Sequence, residues 1–441
     1  MSGFTGSTSL PYPEKSKWNI RNLFIGSKTI WAVMLILMSI SLWIVFSSTS
    51  TKAFGSWNSG GNFFYMFTKH IGSMIFAIGM CVLISHLPLK FLRAYAWLWL
   101  SFSCVLLLLV PFIGVELNDA KRQIVLFGFS FQPSELVRLT LINYVAARLR
   151  YKDGKHATPS NFWWIFIPSI AICAFIFLDN MSTALILGAV IFYISYIGGA
   201  NRTWMRRLFI GGLAILVLLV GLVIAVPSLR HGENARLGTG YGRIERFISQ
   251  VGAPINTETF DDIKGKDLQV VSSQRAIANS HFFGVGFGKS EMRNLLPEPY
   301  SDFVFSIIVE EGGILAALIV IMTYLALFFA VGGIAKRTDS VYLTLLSLGI
   351  GLIITLQAIL HMMICVNIFP ITGQNLPFIS RGGSSYLITG MYFGILLAIS
   401  NDIKRRKNRD LAKVAGNNVV EPEAIPEMPE EPSVMVEEGK L

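Results

Sequence analysis

The sequence predicts an all-α polytopic membrane protein with ten transmembrane helices. Of its 441 residues, 53% are hydrophobic and only 15% are charged, whereas an average soluble domain has roughly 25% charged residues. The mean hydropathy is +0.57. Apolar runs of about 17 to 25 residues, enough to cross a hydrocarbon core of roughly 30 Å as a helix, recur along the chain. These observations exclude soluble classes, and they make a nucleic-acid partner unexpected despite the excess of 37 Lys and Arg over 27 Asp and Glu.

The predicted spans follow one another with short connections. They occupy residues 29–48, 69–88, 92–115, 133–149, 162–179, 182–200, 206–227, 302–334, 341–366 and 384–402. The polar residues 1–28 carry no small-residue cleavage site, so the first span is expected to remain as an anchor. Residues 29–402 thus form the predicted membrane domain. The Pro/Glu-rich stretch 403–441 is predicted to be a disordered cytoplasmic tail.

Basic residues predict the orientation, because Lys and Arg near helix ends are retained on the cytoplasmic side. They collect before the first span and after the second, fourth, sixth, eighth and tenth. The clusters are Lys15, Lys17, Arg21 and Lys28; Lys90 and Arg93; Arg148, Arg150, Lys152 and Lys155; Arg202, Arg206 and Arg207; Lys336 and Arg337; and residues 404–409. Both termini, including residues 1–28, are therefore predicted to be cytoplasmic.

One predicted outer connection, residues 228–301, is much longer than the others. A connection of this length is usually functional or disordered. Its Arg243, Arg246 and Gln274, together with its aromatic residues, favour partial order. The four cysteines, Cys81, Cys104, Cys173 and Cys365, all lie in apolar runs without a CxxC pair. A disulfide or zinc scaffold is therefore not expected.

The fourth span opens with ionisable residues, which are costly at membrane depth and so suggest function. Pro133 and Ser134 supply a helix start, and Glu135 and Arg138 share one helix face at i and i+3. Two interpretations remain open. The pair is either a buried structural ion pair, or a cavity-facing pair that also binds a phosphate.

A second acidic group stands where the long connection meets the eighth span. Asp302 begins a strongly apolar helix, shortly after Glu298. It could cap that helix and complement its dipole, or it could be a general base in a partly desolvated site. Glu310 and Glu311 precede Gly312 and are expected to face the protein interior.

Residues 366–385 are apolar but interrupted by Pro and Gly, which predicts a re-entrant or pocket-lining segment on the outer side. Its end offers Arg381 and a helix start at Ser384 and Ser385, features that suit an anion. The alternative is a tight turn from which Arg381 reaches the headgroups. Lys121 and Arg122 form a further basic step before the fourth span, which is weak by itself.

The predicted topology places all four groups on the outer side. The sequence has neither a P-loop nor a nucleotide-binding Gly fingerprint. A substrate processed outside the membrane must therefore carry its own activation, as a lipid-linked diphosphate does.

These motifs resemble those of the SEDS family (shape, elongation, division and sporulation). Residues 118–122 (N-D-A-K-R) and 129–135 (F-S-F-Q-P-S-E) resemble its N-G-A-[KR]-R … F-Q-P-S-E signature. Residues 297–305 (P-E-P-Y-S-D-F-V-F) resemble P-E-x-x-[ST]-D-F-[IV]-F. Residues 372–385 resemble T-G-x-x-L-P-F-[IVL]-S-x-G-G-S-S, and residues 284–288 resemble its G-x-G-x-G stretch. The motifs occur in the family's order, across residues 29–402.

The resemblance implies a ten-helix SEDS fold that polymerises lipid II into glycan strands and releases undecaprenyl diphosphate. By position, Asp302 would be the essential acid, the base that deprotonates the 4-hydroxyl of the acceptor sugar. Glu135 and Arg138 would line the central cavity, Arg138 standing where many members carry Lys. Further substrate contacts would come from Ser134, Lys121, Arg122, Arg243, Arg246, Gln274, Glu298, Arg381, Ser384 and Ser385.

Two positions depart from the family pattern. Residues 178–184 (L-D-N-M-S-T-A) stand where the family often has Q-P-D-x-G-T-A, and Asn180 replaces the acid, so no catalytic role is expected there. Asp119 replaces a Gly, which affects the local turn more than the chemistry.

The resemblance also implies partners: lipid II, the nascent glycan strand, a class B penicillin-binding transpeptidase and other membrane proteins of the division complex. A divalent cation, Mg²⁺ or Mn²⁺, is the one cofactor considered.

The form of residues 380–382 and the polar tails favour the FtsW-type division branch over a RodA-type elongation role. The expected location is the septum of a bacterial cytoplasmic membrane. The competing functions are a lipid II flippase, whose key charges would lie at the midplane, and a non-catalytic scaffold for a transpeptidase.

Overall fold

A computed structural model describes residues 24–55, 63–117, 120–126, 129–149, 159–225, 266–294 and 301–417. These parts of the chain are mostly helical, as predicted. The helices are α1 (Lys28–Gly55), α2 (Phe63–Ser85), α3 (Leu89–Ala94), α4 (Ala96–Ile113), α5 (Pro133–Arg148), α6 (Pro159–Asp179), α7 (Met181–Ile197), α8 (Arg202–Ala225), α9 (Lys266–Ala278), α10 (Val304–Lys336), α11 (Val341–Cys365) and α12 (Gly383–Asn417). A 3-10 turn spans Met292–Asn294.

Each of the ten predicted spans overlaps one of these helices. Among the described residues, six helices are long and apolar enough to cross a membrane: α1, α2, α4, α10, α11 and α12. The apolar parts of α6 and α7 are shorter, at Phe162–Phe177 and Met181–Ile197. The number of crossings and their orientation remain predictions.

Helix α5 is much more polar than a lipid-facing helix, and its packing explains why. Nearly all of its side chains from Pro133 to Ala146 are buried. It packs against α4 and α11, so Glu135, Arg138 and Asn143 meet protein groups rather than lipid. The Asn143 side chain, for example, donates to the Leu92 carbonyl oxygen (3.0 Å). A helix enclosed by other helices can carry polar residues that lipid would not tolerate.

A small antiparallel sheet between α4 and α5 was not predicted. It consists of β1 (Val115–Leu117), β2 (Ala120–Leu126) and β3 (Phe129–Phe131), in the order β1-β2-β3. Strands β1 and β3 have only three residues each, which gives too little periodicity for recognition from sequence. The sheet leads directly into α5.

Helix α10 is broken near its start, because Gly313 has non-helical angles (φ 69°, ψ −167°). The helix packs against α11 and α1. Its buried side chains include both Glu310 and Glu311, as expected from the sequence.

Among the described residues, those up to Asn401 form one compact unit and those from Asp402 onwards belong to a second. In the second unit, α12 continues through Asn417, where Arg406 Nε donates to Asp402 Oδ2 (2.8 Å) on the helix surface. The predicted boundary of the tail at residue 403 therefore falls inside a helix. An i,i+4 ion pair supports a solvated helix of this kind. Residues 418–441, and residues 228–265 and 295–300 of the long predicted connection, lie outside the described residues.

Candidate functional site

Four parts of the fold are joined by hydrogen bonds. They are the first turns of α5 and α12, the turn before α10, and the irregular residues 366–382 that connect α11 to α12. The Ser384 hydroxyl donates to Glu135 Oε2 (3.4 Å), and the Ser301 hydroxyl lies 3.2 Å from Asn375 Oδ1. Residues that are far apart in the sequence thus form one polar region inside an apolar bundle.

The ion pair in α5 is buried. Arg138 Nη2 lies 3.6 Å from Glu135 Oε1, and the two residues are 7% and 4% exposed. Helix α5 begins at Pro133, which suits the first helical position, and Gln132 Nε2 donates to Ser134 Oγ (3.0 Å) at this start. Ser385 also lies near the Glu135 carboxylate. The start of α12 therefore closes over the pair.

The pair is linked to α11 and to the irregular segment through Gln357. Arg138 Nη1 donates to Gln357 Oε1 (2.9 Å), and Gln357 Nε2 donates to the Asn375 carbonyl oxygen (2.8 Å). Two buried groups beside the pair, Arg138 Nε and the Tyr392 hydroxyl, have no hydrogen-bond partner among the described residues. Tyr392 interacts electrostatically with both members of the pair. Unsatisfied donors of this kind are costly unless a ligand or water engages them, which makes the region suitable for an anion.

Replacing the linking amide should loosen this region. Gln357→Leu is expected to lower the free energy of unfolding by about 1 to 3 kcal/mol, because it leaves buried Arg138 and Asn375 groups unpaired. The measurement is thermal unfolding of the purified protein in detergent. Thr355→Val is the matched control in α11, since the Thr355 hydroxyl bonds only the Gly351 carbonyl oxygen of its own helix (2.8 Å). A melting temperature for Gln357→Leu at or above that of the control would contradict the link.

Asp302 lies immediately before α10 but does not occupy its N-cap position. That position is Phe303, and no side chain there caps the helix. The interpretation of Asp302 as a helix cap is therefore wrong. Its carboxylate instead faces the polar region: the Ser301 hydroxyl donates to Asp302 Oδ1 (3.1 Å), and a Cβ placed on Gly373 would lie 3.6 Å from Oδ2. Asp302 is half-buried, so the residue stays partly accessible.

Residues 366–382 are non-helical, and most of residues 372–380 are buried, as the sequence predicts for a pocket-lining segment. Their backbone is held by side chains of surrounding helices. The hydroxyl of Tyr324 donates to the Pro377 carbonyl oxygen (2.5 Å). His361 Nδ1 lies 2.6 Å from the Gln374 carbonyl oxygen. Ser380 Oγ donates to the Ser301 carbonyl oxygen (2.8 Å), which ties the segment to the residue before Asp302.

Asn180, which replaces an acid of the family pattern, has a structural role. Its side chain caps α7 by accepting from the Thr183 amide (3.2 Å). It also accepts from Gln374 Nε2 (3.2 Å), while its own Nδ2 donates to the Thr372 carbonyl oxygen (3.5 Å). An amide can donate and accept at once, as this position requires.

The other predicted site residues lie in several elements. Lys121 and Arg122 lie in β2, whose partner β3 runs into α5. Arg381 is half-buried at the end of the irregular segment, and Gln274 lies half-buried in α9. Arg243, Arg246 and Glu298 lie outside the described residues. Where the structure describes the chain, no group of three or more His, Cys, Asp or Glu side chains could hold a metal ion, so the divalent cation remains only a prediction.

Sequence reasoning missed several residues of the site. Gln357 and His361 are polar residues in an apolar span, and this was the signal that could have identified them. Asn375 was quoted within a motif but not assigned a role. Tyr392 has no distinguishing signal, because a tyrosine in a span is ordinary.

The chain is similar to known proteins over most of its length. A family model described as Cell cycle protein, FtsW/RodA/SpoVE, matches residues 27–405. A "Probable peptidoglycan glycosyltransferase FtsW" of Nitrosomonas europaea is 28% identical over 413 residues, covering 91% of this chain and 98% of the relative.

Two solved structures share the fold. One, described as "Structural coordination of polymerization and crosslinking by a peptidoglycan synthase complex", contains a chain that superposes with a TM-score of 0.65 at 20% identity, covering 86% of this chain and 98% of that chain. The other is the rod shape determining protein RodA of Thermus thermophilus, with a TM-score of 0.59 at 18% identity and the same coverage, 86% and 98%. At these identities the likeness establishes the fold.

Proposed function

Because the chain belongs to the FtsW/RodA/SpoVE family of cell cycle proteins, we propose that it is a peptidoglycan glycosyltransferase. This multi-pass membrane protein would polymerise lipid II at the outer face of the cytoplasmic membrane and release undecaprenyl diphosphate. The observation that carries the proposal is the polar region that joins Asp302, through Ser301 and Asn375, to the buried pair of Glu135 and Arg138. The Nitrosomonas europaea relative, named for this activity, supports the reaction class.

In the proposed reaction, Asp302 acts as the general base. Its carboxylate takes the proton from the acceptor's 4-hydroxyl as that oxygen attacks C1 of the donor sugar. A C–O bond forms to the acceptor, the bond from C1 to the diphosphate breaks, and the electron pair leaves with undecaprenyl diphosphate. Asp302 then returns its proton to solvent. The half-buried position of the carboxylate supports this role, since it combines access with partial desolvation.

The leaving diphosphate would bind near the buried pair. Arg138 has an unpartnered buried Nε, and guanidinium groups suit diphosphate oxygens. The backbone amides at the start of α12, with Ser384 and Ser385, would add donors at a helix N-terminus. Ser134, Glu135, Lys121, Arg122, Arg243, Arg246, Gln274, Glu298 and Arg381 are the further proposed substrate contacts.

The partner we propose is a class B penicillin-binding transpeptidase, which would crosslink the strands as they are made. The solved complex that couples "polymerization and crosslinking" supports such a partner for this fold. We further propose the division septum as the place of action, alongside other division-complex membrane proteins. A fluorescently tagged copy at midcell is expected, and a uniform sidewall signal would instead favour an elongation role.

Activity can be tested directly with purified components. The protein, reconstituted with its transpeptidase partner and supplied with fluorescent lipid II, is expected to form glycan strands that separate by length on a gel. Lipid II that crosses vesicle membranes yet stays monomeric would contradict the proposal and support a transporter.

A further inference from the structure

The break in α10 at Gly313 leaves backbone groups that a continuous helix would satisfy. It separates a leading segment, residues 304–312, from the longer remainder of the helix. Helix ends carry carbonyl oxygens and amides without intrahelical partners. An interior break must therefore be filled by water or by another part of the chain.

A loop of residues 281–293, here called the clamp loop, fills this break with its own backbone. The Val285 amide donates to the Glu310 carbonyl oxygen (2.9 Å), and the Gly286 amide donates to that of Glu311 (3.1 Å). On the far side of the break, the Leu315 amide donates to the Phe282 carbonyl oxygen (3.4 Å). The clamp loop thus serves both ends of the interrupted helix.

Backbones approach so closely here that side chains are excluded. A Cβ on Gly313, whose φ is +69°, would lie 2.3 Å from the Phe282 carbonyl oxygen. A Cβ on Gly284, with φ +74°, would lie 2.4 Å from the Glu311 carbonyl oxygen. Glycine is required at both positions for space and for conformation.

The two buried glutamates attach the other end of the clamp loop to the leading segment. Glu310 and Glu311 are each 1% exposed. Glu310 accepts from the Ser290 hydroxyl and from the Glu291 amide (3.2 Å). Arg293 Nη1 lies 3.5 Å from Glu311 Oε1.

Arg293 also fixes this assembly to α1. Its Nη1 donates to the Ser47 carbonyl oxygen (2.8 Å), and its Nη2 donates to the Gly288 carbonyl oxygen (2.6 Å). The Phe287 ring of the clamp loop stacks on Trp43 of α1, with ring centroids 5.9 Å apart. On another side, Ser306 of the leading segment hydrogen-bonds Ser273 of α9 (2.5 Å). Contacts with α1, α9 and the clamp loop therefore hold the leading segment in position. They replace the helical hydrogen bonds that the break at Gly313 interrupts.

We propose that the leading segment and the clamp loop form one unit that sets the position of Asp302. This inference rests on the proposed catalytic role of Asp302, which directly precedes the leading segment. Gly313, Glu310, Glu311 and Arg293 are its positioning residues. Glu310, Glu311 and Gly313 follow Asp302 by about two to three helical turns, and Arg293 holds the leading segment from the clamp loop. All four residues act through the orientation of that short helix.

The test uses the full chain with its transpeptidase partner and compares substitutions at two glycines of α10. Gly313→Ala is expected to lower kcat about 100-fold, the scale of a misplacement by about 1 Å, while KM for lipid II changes less than about threefold. Gly332→Ala is the matched control, because a Cβ there would meet nothing within 4 Å, and it should behave as the wild type. Folded protein is quantified by size-exclusion chromatography and thermal unfolding.

A second set of variants covers the case in which Gly313→Ala does not fold. Glu311→Gln should lower kcat by at least about tenfold with KM retained, and Arg293→Lys should retain more activity than Arg293→Met. Normal kcat in both Glu311→Gln and Arg293→Met would overturn the inference, as would losses explained entirely by the unfolded fraction. Asp302→Asn is measured alongside. If that variant is active, the proposed function itself fails, whatever the glycine variants show.

Discussion

Asp302→Asn should nearly abolish glycan polymerisation while the protein remains folded. General-base catalysis contributes about 10² to 10⁴ in rate, so kcat should fall by a factor in that range. The amide has the same shape as the carboxylate, and its oxygen can still accept from the Ser301 hydroxyl (3.1 Å in the wild type). KM for lipid II should therefore change little, because binding is retained while proton transfer is lost. Polymerisation by the purified complex, followed over time, measures both constants.

A carboxylate at the C-terminal end of α10, the helix that Asp302 precedes, supplies the control. Asp339 is exposed just after α10 ends, and Asp339→Asn is expected to leave polymerisation and expression unchanged. Asp302→Glu, which keeps the acid but displaces it, should retain partial activity. If Asp302→Asn polymerises lipid II within tenfold of the wild-type rate, Asp302 is not the base. Normal complementation of a deletion strain by the same variant would instead favour the scaffold hypothesis.

The helical fold could be predicted well because it depends on a strong, one-dimensional signal. Runs of apolar residues mark helices whatever their neighbours are, and each predicted span overlaps a helix of the structure. The sequence could not distinguish helices that face lipid from α5, which is enclosed by protein. Burial by other helices depends on contacts between distant segments, which hydropathy does not record.

Individual site residues were predictable where a charge had to be explained. Glu135 and Arg138 stood out because ionisable residues are costly inside a membrane, and the structure pairs them. The role of Asp302 could not be decided from its place before a helix, since cap and base have the same sequence signature. The helix start at Val304, one residue later than a cap at Asp302 requires, removes the cap interpretation.

The hydrogen bonds between distant parts of the chain could not be predicted from the sequence. Gln357 joins α5 to residue 375 through two hydrogen bonds, and neither partner lies near it in the chain. The Gly-rich stretch at 284–288 was noted as a motif. Its backbone hydrogen bonds to the residues before the break at Gly313 join parts of the chain that are more than twenty residues apart. The sequence shows these glycines, but it does not show that they pack against the break in α10.

The buried pair in α5 allows a direct separation of structural from functional roles. Arg138→Met should lower the free energy of unfolding by about 3 to 5 kcal/mol, because it leaves the Glu135 carboxylate buried without a cation. The double variant, Glu135→Gln with Arg138→Met, removes both charges and should recover most of that loss. Thermal and denaturant unfolding in detergent measure these stabilities. Arg406→Met, which breaks the exposed pair with Asp402, is the control and should cost at most about 1 kcal/mol.

Activity of the double variant then decides between the two interpretations. If Arg138 binds the diphosphate, polymerisation should stay about 100-fold below wild type even though stability has recovered, since lost electrostatic stabilisation of a transition state is of that order. Arg138→Lys should be intermediate, because a lysine keeps the charge but cannot reproduce the planar fork of donors to Gln357 and Glu135. Should polymerisation return together with stability in the double variant, the pair only holds helices together, and the diphosphate must bind elsewhere.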